Sequence, residues 1–154
     1  MKDSTVFLAA LCALAVMPCP APAHDPGLST MAVTVREGVI DVRITLTRAE
    51  LAAAFGESVE PDAVHAVEVW AGGKQMAETR NEVELVDDVE LDLVASFPRS
   101  RDANRVRIAV PFIGRLALGH RQYVTVADGS GAIVATQLLS AADFDLEVDL
   151  PIAP

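Results

Sequence analysis

The stretch Met31-Ala32-Val33-Thr34-Val35-Arg36-Glu37-Gly38-Val39-Ile40-Asp41-Val42-Arg43-Ile44-Thr45-Leu46 decides the fold. Met31, Val33 and Val35 share one parity. After Glu37-Gly38, Ile40, Val42, Ile44 and Leu46 share one parity, with Asp41, Arg43 and Thr45 opposite. Alternation with period two marks a strand that buries one face. Two such runs around a short Gly-containing turn predict a β-hairpin.

The next signal downstream is a helix start. Thr47-Arg48-Ala49-Glu50 is a capping box, in which Thr47 accepts from an amide of the first turn and Glu50 reaches back. Leu51 and Phe55, four apart, then face the core, and Gly56 stops the helix. Residues 57–62 form a polar connection holding Pro61. Further strands are expected over 64–71, 74–78, 82–86, 89–93, 105–110, 123–126, 132–138 and 144–150. The last alternates perfectly, with Phe144, Leu146, Val148 and Leu150 inward. Gly72-Gly73 and Asp87-Asp88 supply turns, 96–104 reads as a loop, and 113–120 reads as an irregular or helical connection. Each strand has one apolar face to bury, so the expected architecture is an immunoglobulin-like antiparallel β-sandwich with one short helix.

Upstream of the hairpin the chain reads as an export signal. Lys2 gives a weak positive start, residues 6–16 are apolar, and Ala21 and Ala23 form a small-x-small cleavage pattern. Residues 1–23 are the expected signal peptide and 24–154 the single domain, long enough to bury roughly two thirds of its unfolded surface. Export to the periplasm or the extracellular space follows. Both cysteines, Cys12 and Cys19, fall in the leader, so no disulfide framework or thiolate site is expected. Pro18 directly before Cys19 fits a lipidation motif poorly, which favours simple cleavage. Lys2 and Asp3 cancel, and the processed chain keeps the net charge of −10. Such a chain lacks the basic surface that phosphate backbones require, which argues against nucleic acid. No segment after the leader reaches the roughly 18–20 apolar residues of a membrane span.

Few residues offer chemistry. Cleavage after Ala23 would make His24 the mature N-terminus, with an α-amine and an imidazole on one residue. Amine and imidazole donors suit Cu(II). Pro26 lacks an amide hydrogen and stops the amide wrapping of copper–peptide chelates after Asp25, so a tight site needs His120 or His65 as well. The ordinary readings are a processed end for His24, an edge imidazole for His65 and a loop cap for His120. The carboxylates Glu82, Glu84, Glu90, Asp92, Glu147 and Asp149 occupy outward strand positions rather than a paired acid–base site. Asp128-Gly129-Ser130-Gly131 lacks the later ligands of a calcium loop and reads as a hairpin turn. Trp70, alone of its kind, is expected in the core. No Gly-x-Ser-x-Gly or phosphate-binding Gly loop occurs, and no enzyme is expected.

Two segments carry a resemblance. Ala23-His24-Asp25-Pro26-Gly27-Leu28-Ser29, together with Gly119-His120-Arg121-Gln122-Tyr123-Val124 through Gln137-Leu138-Leu139-Ser140, resembles the extracytoplasmic N-terminal domain of HupE/UreJ-type (hydrogenase/urease accessory) membrane proteins. The layout of hairpin, capped helix and strands is similar too. The membrane-spanning half of that family has no counterpart in this sequence, so transport does not carry over. The resemblance implies an exported, non-enzymatic accessory module that partners a membrane or envelope protein. The His-first start is also similar to CopC-type periplasmic copper-binding sandwiches. That likeness implies the alternative, a copper or nickel protein using His24 with His120 or His65.

Overall fold

The computed structural model describes residues 27–57 and 64–150. The expected leader, its cleavage site and His24 lie outside the described residues. Among the described residues, ten strands, one α-helix and one 3-10 helix follow in order: β1 (Leu28–Arg36), β2 (Val39–Thr47), α1 (Arg48–Phe55), β3 (Glu68–Ala71), β4 (Lys74–Gln75), β5 (Arg80–Leu85), β6 (Glu90–Pro98), β7 (Arg105–Ala109), the 3-10 helix (Pro111–Arg115), β8 (Arg121–Asp128), β9 (Ile133–Ser140) and β10 (Asp145–Asp149). They form two sheets, a six-stranded one ordered β5-β6-β2-β1-β8-β9 and a four-stranded one ordered β10-β7-β3-β4. This is the all-β sandwich that the alternation demands.

The opening hairpin sets the register of the larger sheet. Arg36 pairs with Val39 around Glu37-Gly38, where Gly38 takes φ +81°, a value open to glycine without a Cβ clash. Met31, Val33, Val35, Ile40, Val42, Ile44 and Leu46 are all at most 4% exposed. They face Val69, Val106, Ile108, Leu146 and Val148 of the smaller sheet in one continuous core. The capping box forms as expected: Thr47 Oγ1 accepts from the Glu50 N–H, and the Thr47 N–H donates to the Glu50 carboxylate. Leu51 and Phe55 pack against the core, and Phe55 meets Phe112 of the 3-10 helix at 5.5 Å between ring centroids.

Five expectations need correction. The strands are not all antiparallel, because β1 and β8 run parallel from Leu28↔Arg121 to Val35↔Asp128. The chain reaches β8 from the other sheet through the 3-10 helix, so it arrives at the end where β1 starts. Ser96 and Phe97 belong to β6, not to a loop, and β6 is buried on both faces from Leu91 to Phe97. Trp70 lies on the outer face of the smaller sheet with the Arg107 guanidinium stacked 4.6 Å from its ring, a cation–π contact in place of core packing. Phe144 precedes β10 and is 39% exposed, whereas Leu146, Val148 and Leu150 face in. The 64–71 run forms a strand only from Glu68, since Ala66 and Val67 are both buried and break the alternation.

Candidate functional site

Three places in the sandwich carry unusual side chains, and the strand register locates each. The first lies where β1 and β8 begin. Ser29 and Gln122 occupy inward positions, pair in register across the parallel ladder, and are 1% and 0% exposed. His120, just before β8, is 3% exposed, and its Nε2 lies 2.9 Å from Ser29 Oγ. On the other side of the ring, Nδ1 lies 3.5 Å from Glu50 Oε1. The second Glu50 oxygen accepts from the Thr47 backbone N–H at 2.8 Å and the Thr47 hydroxyl at 3.0 Å. Burial pushes the His120 imidazole below its ordinary value, and the nearby Glu50 charge pulls it part of the way back. His120 Nδ1 and both polar atoms of the Gln122 amide are buried without a hydrogen-bond partner. The loop cap expected of His120 is made instead by its backbone, whose N–H donates to Ala117 O at 2.9 Å.

Ser29, His120 and Glu50 stand in the spatial order of a hydrolytic triad, with only the Ser29–His120 hydrogen bond made. Ser29 Oγ faces the core, however, and at 1% exposure no substrate carbonyl can reach it. The centre does not admit an acyl group.

The second place is a cleft of about 530 Å³ at the open side of the sandwich, lined by His65, Met76, Glu78, Thr79, Asn81 and Phe97 among others. His65 Nδ1 lies 2.7 Å from Glu78 Oε2, with the imidazole 72% exposed and the carboxylate 14%. Asn81 donates to Glu78 at 3.2 Å and to the Val64 carbonyl at 2.9 Å, which anchors the backbone beside His65. Asn81 pairs with Ala95, and Ala95 with Val42. Thr30 pairs with Thr45, which puts Ser29 four residues further along β2 and three strands across the sheet from Asn81. At about 3.3 Å per residue and 4.8 Å per strand, His65 and His120 are roughly 20 Å apart. One ion cannot bind both. His65 and His120 are therefore held apart by the fold, His24 lies outside the described residues, and no group of three His, Cys, Asp or Glu ligands converges among the described residues.

The third place is the outward face of β1, β8 and β9. Its rows are Thr30-Tyr123-Leu138, Ala32-Thr125-Thr136 and Thr34-Ala127-Ile133. Tyr123 is 45% exposed, Leu138 52% and Ile133 65%. β9 is the last strand of the sheet, and its eight residues Ile133 to Ser140 include neither a charge nor a proline. Natural edge strands are ordinarily blunted by just those features. Arg121 is the one charged residue of these three strands that borders the rows at the His120 end, and its guanidinium turns back to the Gly119 and His120 carbonyls.

Sequence reasoning passed over Ser29, Gln122 and Glu50 as parts of a site. The signal was present for two of them: Ser29 shares the parity of Met31 and Val33, and Gln122 that of Val124 and Val126. A polar residue at an inward strand position is either satisfied or functional. With the geometry fixed, no protein-family model and no curated protein matches the chain. No described helix is long and apolar enough to cross a membrane.

Proposed function

We propose that the protein is an exported, non-enzymatic β-sandwich that binds another envelope protein through the outward face and open edge of β1, β8 and β9. One observation carries this reading: exposed Tyr123, Leu138 and Ile133 share an uncharged half-face that ends in an unblunted edge strand. Exposed apolar side chains gathered on one uncharged face cost solubility, and larger patches of this kind mark interaction sites. An edge strand offers a row of backbone donors and acceptors to a partner strand, and alternate side chains supply selectivity. The net charge of −10 keeps the remaining surface solvated and keeps copies apart.

The test is a pull-down from envelope extracts with the processed chain as bait, alongside Tyr123→Glu. Retention of a defined envelope protein by wild type and its loss in the variant supports the reading. Retention of nothing above background sinks it.

A further inference from the structure

The cleft on the open side of the sandwich holds a carboxylate that the protein itself only half satisfies. It lies where the chain crosses from β4 in the smaller sheet to β5 in the larger one. Val67 and Phe97, both buried, and Met76, packed on the core, make one part of its lining apolar. Glu78 stands among them with 14% of its side chain exposed. Its Oε2 accepts from His65 Nδ1 at 2.7 Å and from Asn81 at 3.2 Å, while Oε1 is buried with no hydrogen-bond partner. A carboxylate oxygen taken from water without a donor loses its hydration uncompensated.

The cations beside it do not make up the deficit. Arg80, which lines the same cleft, is engaged by Glu82 at 2.6 Å and by Glu84 at 3.2 Å. His65 has 72% of its side chain in water, and an ion pair that open contributes little. The imidazole is therefore a displaceable cover over Glu78. Glu68 adds a second carboxylate to the lining, and the net charge of −10 draws cations to the surface. The volume of about 530 Å³ falls within the roughly 300–1,000 Å³ of small-molecule sites. An ammonium brings three N–H donors to a carboxylate where an imidazole Nδ1 brings one.

We propose that this cleft binds a primary alkylammonium ion, whose N–H donors replace the His65 imidazole at Glu78 and whose aliphatic chain takes the apolar lining. His65 competes with the ligand for the carboxylate. This inference goes beyond partner binding through β1, β8 and β9 and does not depend on it.

The experiment is an NMR titration of the exported, processed full chain with n-pentylammonium chloride, read at the Asn81 side-chain amide. Pentanol and pentanoate serve as neutral and anionic controls of equal chain length. Glu78→Gln, which keeps the shape of the side chain, and His65→Ala, at an exposed position, are run in parallel. The expected result is saturable binding by wild type with a Kd of about 1 mM or tighter. Affinity should fall at least about tenfold in Glu78→Gln. It should rise about two- to fivefold in His65→Ala, as the competing imidazole is removed. A capped lysine amide carries the same cation on a peptide unit. Its binding as tightly as the amine supports the site and assigns it to lysine side chains; weaker binding supports it and assigns it to free amines. No saturable shift in wild type overturns the proposal, as does unchanged affinity in Glu78→Gln. So does pentanol or pentanoate binding as tightly as the amine, or unchanged or weaker binding in His65→Ala.

Discussion

The two halves of the larger sheet's outer face share one backbone geometry and opposite chemistry. On β5, β6 and β2, Arg43 reaches Asp92 at 2.5 Å and Glu84 at 2.9 Å, and Thr45 donates to Asp92 at 2.6 Å. Ser96 donates to Asp41 at 2.7 Å, Arg36 at the far end of β1 pairs with Asp41, and Arg80 bridges Glu82 and Glu84. These pairs close over the strands so completely that Asp92 and Ser96, on the solvent-facing side, are only 7% and 8% exposed. In the three rows between Arg121 and Arg36 on β1, β8 and β9 the same positions hold Thr, Ala, Tyr, Leu and Ile, and Tyr123, Leu138 and Ile133 stay open to water. A face whose charges satisfy one another has little left to offer a partner. A neutral face with an open edge has its binding groups unspent.

The comparison breaks most visibly if a charge is moved onto the neutral half. Tyr123→Glu is expected to cost about 2 kcal/mol or more of partner binding, the scale of an interface hot spot. The melting temperature should stay within about a degree of wild type, because Tyr123 is outside the core. Pull-down and thermal denaturation on one preparation check both halves of that statement.

Arg43→Ala asks the reverse question. It leaves the poorly exposed Asp92 carboxylate with Thr45 but without its cation. The expected loss is about 1–2 kcal/mol in urea unfolding, a range set by a charge-assisted bond and discounted because the guanidinium is half exposed. Partner retention should be unchanged.

Ser96→Ala should cost about 1 kcal/mol and carry a pH signature. Burial opposes the charged form of Asp41, but the hydrogen bonds from Ser96 and Arg36 outweigh it and hold the carboxyl below its ordinary value of 3.8. The folded state then binds fewer protons than the unfolded state. This stability is present above about pH 4 and lost as pH falls through the folded value. Urea midpoints measured between pH 3 and 5 should show a smaller acid-side loss in Ser96→Ala than in wild type. Arg80→Ala is the smallest change: its ion pairs are exposed and screened, and no shift in midpoint should be detectable at physiological salt.

Much of this fold was legible in advance, and the reasons are local. The hairpin of β1 and β2 and the Thr47–Glu50 capping box depend on residues within a few positions of each other, so spacing alone reveals them. Two of the misreadings involved distant partners. Asp92 is an outward residue by parity, yet Arg43 and Thr45, about 50 residues upstream in sequence, bury it. Trp70 is apolar enough for a core, but Arg107 offers its ring a cover outside it. Of the site residues, His120 and His65 were found by type, since histidine is rare here and chemically distinct. Ser29, Glu50 and Glu78 are common residues and gain meaning only from what the fold brings beside them.

The sequence by itself therefore determined the sandwich, the capped helix after Thr47 and the acidic character of the chain, because alternation, capping and composition are local properties. Only the tertiary structure decided that β1 and β8 run parallel, since period-two patterning is identical for both strand directions. That one pairing sets Ser29 beside Gln122 and brings His120 against both Ser29 and Glu50. It also leaves β9 at the open edge of an uncharged half-face. Contacts between residues some 90 positions apart follow from how the chain crosses between sheets, and no local pattern encodes that crossing.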